Sequence, residues 1–161
     1  MATVTKLNIL KAKTFGGVPF GNASRQRFSF ATNTSGIWVD SNQTTAVGST
    51  DVLRLGIIPA GTELHDMMLI VSTALAGSTT CKVGWLYVDG VDRTDVAQND
   101  AYFVTATQAL SSAVIIRKTA TTAPVVLPKD AYLVITMAGA AQTTTSALDV
   151  MVEGVQSGSN L

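Results

Sequence analysis

Apolar and polar positions alternate with a period of two along much of this chain. Across Asp51–Ile58, Leu53, Leu55 and Ile57 fall on one side and Val52, Arg54 and Gly56 on the other. Across Cys81–Val88, Cys81, Val83, Trp85 and Tyr87 share a side opposite Lys82 and Gly84. Across Ala147–Val155, Leu148, Val150 and Val152 alternate with Asp149, Met151 and Glu153. Successive side chains of a strand point to opposite faces, so each segment is predicted to be a half-buried antiparallel strand. Weaker alternation adds Lys6–Lys13, Arg25–Ala31, Ile37–Asp40, Glu63–Thr73, Val114–Thr119 and Tyr132–Met137. Abundant Thr, Val and Ile favour the pleated conformation. The stretch from Asp95 to Ser111 lacks clean alternation and carries Ala and Gln, so a short helix or an irregular crossover is expected there.

Turn signals separate these segments at short intervals: Phe15-Gly16-Gly17, Thr34-Ser35-Gly36, Pro59-Ala60-Gly61, Asp89-Gly90, Pro128-Lys129-Asp130 and Ala138-Gly139. Many short strands with such punctuation read as an all-β protein, a sandwich or barrel. Two of the corners echo each other. Leu55–Leu64 and Val125–Leu133 each run from an apolar strand end through a proline and a tight turn into a new apolar strand five residues on. Proline cannot donate to a β-ladder and so marks a strand end. The same corner used twice is what two Greek keys produce, and the predicted fold is an antiparallel β-sandwich of jelly-roll type. Residues 21–155 are expected to form this sandwich, residues 1–20 an extended N-terminal arm or its first strand, and residues 156–161 a flexible tail.

Composition narrows the function. The 161 residues are 47% hydrophobic and 14% charged, which is the wrong balance for disorder. With one cysteine, Cys81, and one histidine, His65, the chain has no disulfide of its own and no zinc site built from several such ligands. A cupin-type metal enzyme is disfavoured for the same reason. His65 and Cys81 are the one pair resembling a base and its nucleophile, but a strand histidine and a buried thiol explain them as well. There is no Gly-x-Ser-x-Gly elbow, Walker loop or dinucleotide fingerprint. Asp89, Asp92, Asp95 and Asp100 cluster, without the ligand spacing of a calcium loop. Trp85 and Tyr87 could stack a sugar if exposed. The expectation is no enzyme activity, no cofactor and no metal. The opening segment lacks a signal-peptide core, and no apolar run reaches the ~20 residues of a membrane span. A soluble protein made in a cytoplasm, with no membrane partner, is expected.

Formal net charge is zero, but it is unevenly placed. Residues 1–39 hold Lys6, Lys11, Lys13, Arg25 and Arg27 and no acid; the remainder is net acidic. Five spaced cations are a weak phosphate-binding set, so an acidic surface is expected to face this segment, on a partner or on the chain's own body, rather than nucleic acid. Gly16, Gly17 and Gly21 offer hinge points. An arm adding a strand to a neighbour would make its contacts through Lys6, Leu7, Ile9, Lys11, Lys13 and Phe15.

Three stretches, Leu53-Arg-Leu-Gly-Ile-Ile-Pro-Ala-Gly-Thr-Glu-Leu-His-Asp66, Gly84-Trp-Leu-Tyr-Val-Asp-Gly-Val-Asp92 and Val126-Leu-Pro-Lys-Asp-Ala-Tyr-Leu133, resemble the jelly-roll decoration, or cement, proteins of tailed bacteriophage capsids. The resemblance covers residues 51–155 and rests on arrangement more than on an invariant motif. It implies a structural virion protein on the outer surface of an assembled capsid, made in a host cytoplasm and clamping neighbouring major capsid protein subunits. It implies no active-site residues. Matching the lattice symmetry would favour a homotrimer, with a dimer as the alternative. The competing function is a carbohydrate- or receptor-binding β-domain of a virion fibre or adhesin, which an exposed Trp85 or Trp38 would favour.

Overall fold

The computed structural model describes residues 2–5 and 23–156. Among these residues ten strands run in chain order: β1 (Thr3–Thr5), β2 (Ala23–Thr32), β3 (Val52–Ile58), β4 (Thr62–Thr73), β5 (Thr80–Tyr87), β6 (Asn99–Ala109), β7 (Val114–Arg117), β8 (Val125–Val126), β9 (Ala131–Ala138) and β10 (Ser146–Gln156). No helix occurs among the described residues. One sheet has the order β1-β3-β9-β5-β6 and the other β2-β10-β4-β7, with β8 also on β4. The order β2-β10-β4-β7 packed on β3-β9-β5-β6 is that of a double Greek key. All pairings between the strands are antiparallel except the short one, where β1 runs parallel to β3 with Val4 beside Leu53.

The echoed corners explain why the fold closes. Pro59 lies between β3 and β4, Pro128 between β8 and β9, and the paired elements of one corner bond those of the other: β3 to β9 and β4 to β8. The turns themselves are joined. Gly61 N donates to Leu127 O, Leu127 N to Thr62 O, and Ala60 N to the Asp130 carboxylate. The repeated sequence pattern is therefore a pseudo-symmetric joint at one end of the sandwich.

The core lies between the sheets. Leu53, Leu55, Val83, Trp85, Leu133, Ile135, Val150 and Val152, expected from the alternation to be inside, are all buried in it. Ile57 is buried too, but on the other face. The β3–β9 register slips between Arg54 and Gly56; one extra residue in a strand flips the side chains that follow. Ile58 thus joins the core cluster, and Ile57 pairs with Tyr132 outside it.

The expected helix or crossover between Asp95 and Ser111 is instead β6. Its pairing with β5 slips twice, so that Cys81, Val83 and Trp85 meet Gln108, Val104 and Asn99. The surplus residues erase the period of two, and Tyr102, Phe103 and Val104 are consecutively buried. Ile37–Asp40 is likewise not a strand. Trp38 forms an isolated bridge with Thr32, and its ring packs on Phe30 with centroids 5.5 Å apart. The weak candidate at Lys6–Lys13 lies outside the described residues.

Candidate functional site

No catalytic constellation assembles from the singled-out residues. His65 is on β4 and Cys81 on β5, strands of opposite sheets. The imidazole Nε2 is 3.3 Å from a Glu63 carboxylate oxygen, whereas the Cys81 thiol is buried and its pKa is pushed up to about 12 by that burial. A thiol held neutral is a poor nucleophile. Cys81 is therefore expected to resist a thiol reagent at pH 8 in the folded protein and to react at once in denaturant. Rapid modification without unfolding would contradict its placement.

The four clustered aspartates are separately engaged. Asp89 receives Lys129 Nζ at 2.8 Å. Asp92 accepts the backbone N–H groups of Arg93 and Gln98. Arg93 grips Asp95 through two hydrogen bonds and holds its pKa down at about 2. Asp100 accepts from Lys82 at 2.9 Å and from Thr136 at 3.0 Å. Among the described residues, no three His, Cys, Asp or Glu side chains converge as metal ligands.

Neither tryptophan offers a stacking platform. Trp85 is 1% and Trp38 2% exposed. Trp85 packs edge-on against Tyr87 at 5.1 Å and Tyr102 at 6.4 Å. The observation that would have favoured a sugar-binding surface is thus reversed at both positions.

What remains is surface. The N-terminal contact residues Lys6, Leu7, Ile9, Lys11, Lys13 and Phe15 lie outside the described residues. The part before them is a strand of the chain's own sandwich: Val4 is fully buried, Ala2 N donates to the Asp51 carboxylate, and Asn42 bonds both the N–H and the carbonyl of Thr5. The other two cations of the basic quarter face their own body. Arg25 reaches Glu153 at 2.6 Å and Arg27 reaches Asp149 at 2.7 Å, both across the β2–β10 pairing.

The two sheets differ on their outer faces. Tyr132–Met137 carries apolar residues on both sides, yet its outward Val134 is 0% exposed. Its register partners are Arg54, whose guanidinium lies 4.6 Å over the Tyr132 ring, and Gly84. The backbone of Asn99–Ala101 crosses Gly84 so closely that a Cβ there would sit 2.1 Å from Asn99 O. On the other sheet the outward apolar residues Met68, Ile70 and Met151 are only half-buried. Met151 pairs with Met68, and Ile70 with Ile115, which is 62% exposed. Arg25–Glu153, Arg27–Asp149 and Arg117–Asp66 border this apolar patch. Met68 and Ile70 belong to the run Met67–Val71, which is apolar on both sides of β4. Met151 was not singled out, although it interrupts the polar side of β10 between Asp149 and Glu153.

No protein-family model and no curated protein matches this chain, so comparison rests on shape. A chain in the capsid of Ralstonia phage GP4 matches it with a TM-score of 0.64 at 14% sequence identity, over 98% of this chain and 100% of that chain. The fold is one that phage capsids contain. A chain of the cyanophage Pam1 capsid asymmetric unit matches with a TM-score of 0.55, also at 14% identity, over 88% of this chain and 91% of that chain.

Proposed function

We propose that this chain is a structural, non-catalytic protein of a phage virion, which binds the outer surface of the assembled capsid and holds neighbouring capsid subunits together. The observation that carries this reading is the end-to-end correspondence of its fold with a chain from a phage capsid. The sequence resemblance to capsid decoration proteins, reached from Leu53–Asp66, Gly84–Asp92 and Val126–Leu133, supports it independently. In this reading Lys6, Leu7, Ile9, Lys11, Lys13 and Phe15 supply contacts to a neighbouring subunit. Deleting residues 2–14 would also remove buried Val4, so the cleaner test replaces Lys6, Lys11 and Lys13 by alanine. The wild-type protein should co-sediment with purified particles, and the triple variant should bind more weakly at unchanged stability. Absence of the wild-type protein from the particle fraction would contradict the function.

Self-association belongs to the same reading. The patch of Met68, Ile70, Met151 and exposed Ile115 is apolar surface for a second copy to cover, because such area gains from leaving water and methionine adapts to irregular partners. A homotrimer is expected, with a dimer as the alternative, by sedimentation at tens of micromolar. Ile115→Lys should shift it toward monomer. A monodisperse wild-type monomer, in solution and on particles, would overturn self-association.

A further inference from the structure

The strand order places two sets of loops at opposite ends of the sandwich. Loops 33–51, 74–79, 110–113 and 139–145 gather at one end, and loops 59–61, 88–98 and 127–130 at the other. Charge divides between them unevenly. The first set, although it is the longer, contains one exposed charged residue, Asp40, and one buried one, Asp51. The second contains Asp89, Asp92, Arg93, Asp95, Lys129 and Asp130.

The charge-poor end is also locked. Gln142, 0% exposed, accepts from Ala76 N and donates to Thr79 Oγ1, while its own N–H donates to Val47 O. Leu75 N donates to Leu110 O, and Leu110 N to Thr79 O, which ties in the fourth loop. Gly36 lies flat against the Gln142 backbone, where a Cβ would come within 2.1 Å of its carbonyl oxygen. Both non-glycine residues with positive φ among those described, Asp40 at 61° and Thr50 at 74°, belong to this end. A β-branched residue at such an angle is strained and persists only where its surroundings hold it; here Thr50 N donates to Met137 O.

We infer that this end, and not the charged one, is the surface that docks on a protein lattice; the inference rests on the function proposed above and names the contact face. Three arguments converge. Charged side chains are depleted at the centre of protein interfaces because their desolvation is costly. Loops already fixed by a buried glutamine lose little freedom on binding. The chemistry also selects the class of partner. These loops carry no Lys or Arg to meet phosphate, which disfavours nucleic acid. Their one aromatic, Trp38, is buried, which leaves nothing to stack a sugar. Hydroxyls, backbone amides and the half-exposed Val39 remain, a set suited to another protein's backbone and neutral side chains. Apolar exposure does not by itself separate the two ends, since Val88 and Val91 are exposed at the charged one; charge does.

The test introduces one carboxylate per variant at exposed positions of three loops, Thr34→Glu, Ser112→Glu and Thr144→Glu, with Val91→Glu at the opposite end as the control. Each protein is mixed with virus particles stripped of it, and binding is read by co-sedimentation after thermal unfolding shows an unchanged fold. The expected result is that wild type and Val91→Glu bind alike, while each of the other three binds at least about tenfold more weakly. Loss of binding by Val91→Glu with full binding by the three overturns the inference and leaves the proposed function intact. No binding by wild type overturns both. Wild-type capture on a glycan surface, lost in the same three variants, overturns the inference in favour of a sugar.

Discussion

Trp85→Ala is expected to lower the unfolding free energy by ~3–5 kcal/mol, the range for removing a large aromatic from a core. Trp85 lies on β5, between β9 and β6, at 1% exposure and in contact with the rings of Tyr87 and Tyr102. Its removal leaves a cavity bounded by two other large side chains, which cannot both collapse into it. Against a total of ~5–15 kcal/mol for an ordinary domain, this is a large fraction. The indole N–H has no partner, so no hydrogen bond is lost with it. Trp85→Phe should therefore cost clearly less than Trp85→Ala. Urea unfolding measures both; equal losses would mean that the nitrogen, and not the ring volume, matters.

Gly84→Ala is expected to cost about 3 kcal/mol, at the upper end for overpacking a fixed site. The atoms in the way are backbone: Asn99 O at 2.1 Å and Asp100 C at 2.5 Å from the added Cβ. A flexible side chain could swing aside, but here the start of β6 must lift. That movement would pull Asp100 from Lys82 and Thr136 and uncover Val134. Gly90→Ala makes the useful contrast. Nothing lies within 4 Å of its Cβ, and only its φ of 71° opposes the change, so ~1–2 kcal/mol of conformational strain is expected. If Gly90→Ala destabilises more than Gly84→Ala in urea, close approach is not what keeps Gly84 a glycine.

These two residues also mark how far the sequence could be read. Trp85 was legible as core because β5 alternates without interruption and its pairing with β9 is unbroken. The same holds for most of β10, and for the proline corners, whose chemistry is local. Gly84 was legible only as a residue opposite Trp85. Its role depends on β6, whose slipped register with β5 leaves no trace in β6's own hydrophobic pattern. The bulge in β3 hid the turn of Ile57 to the outer face in the same way. The parallel pairing of β1 joins segments nearly fifty residues apart, and three residues are too few to show a period. For function, alternation could place Trp85 on a face but not say which face met water. The charge imbalance between the two ends was present in the sequence, yet it acquires meaning only when topology sorts the loops by end.

The proposed function turns on whether this chain stabilises an assembled shell. The most direct measurement compares the heat stability of intact virus particles with and without the protein, then with it added back. A protein that binds the assembled state and not the dispersed subunits must stabilise by mass action. The particle melting temperature should therefore fall when the protein is removed and rise with occupancy until sites are full. Identical melting of stripped and fully restored particles would contradict the account.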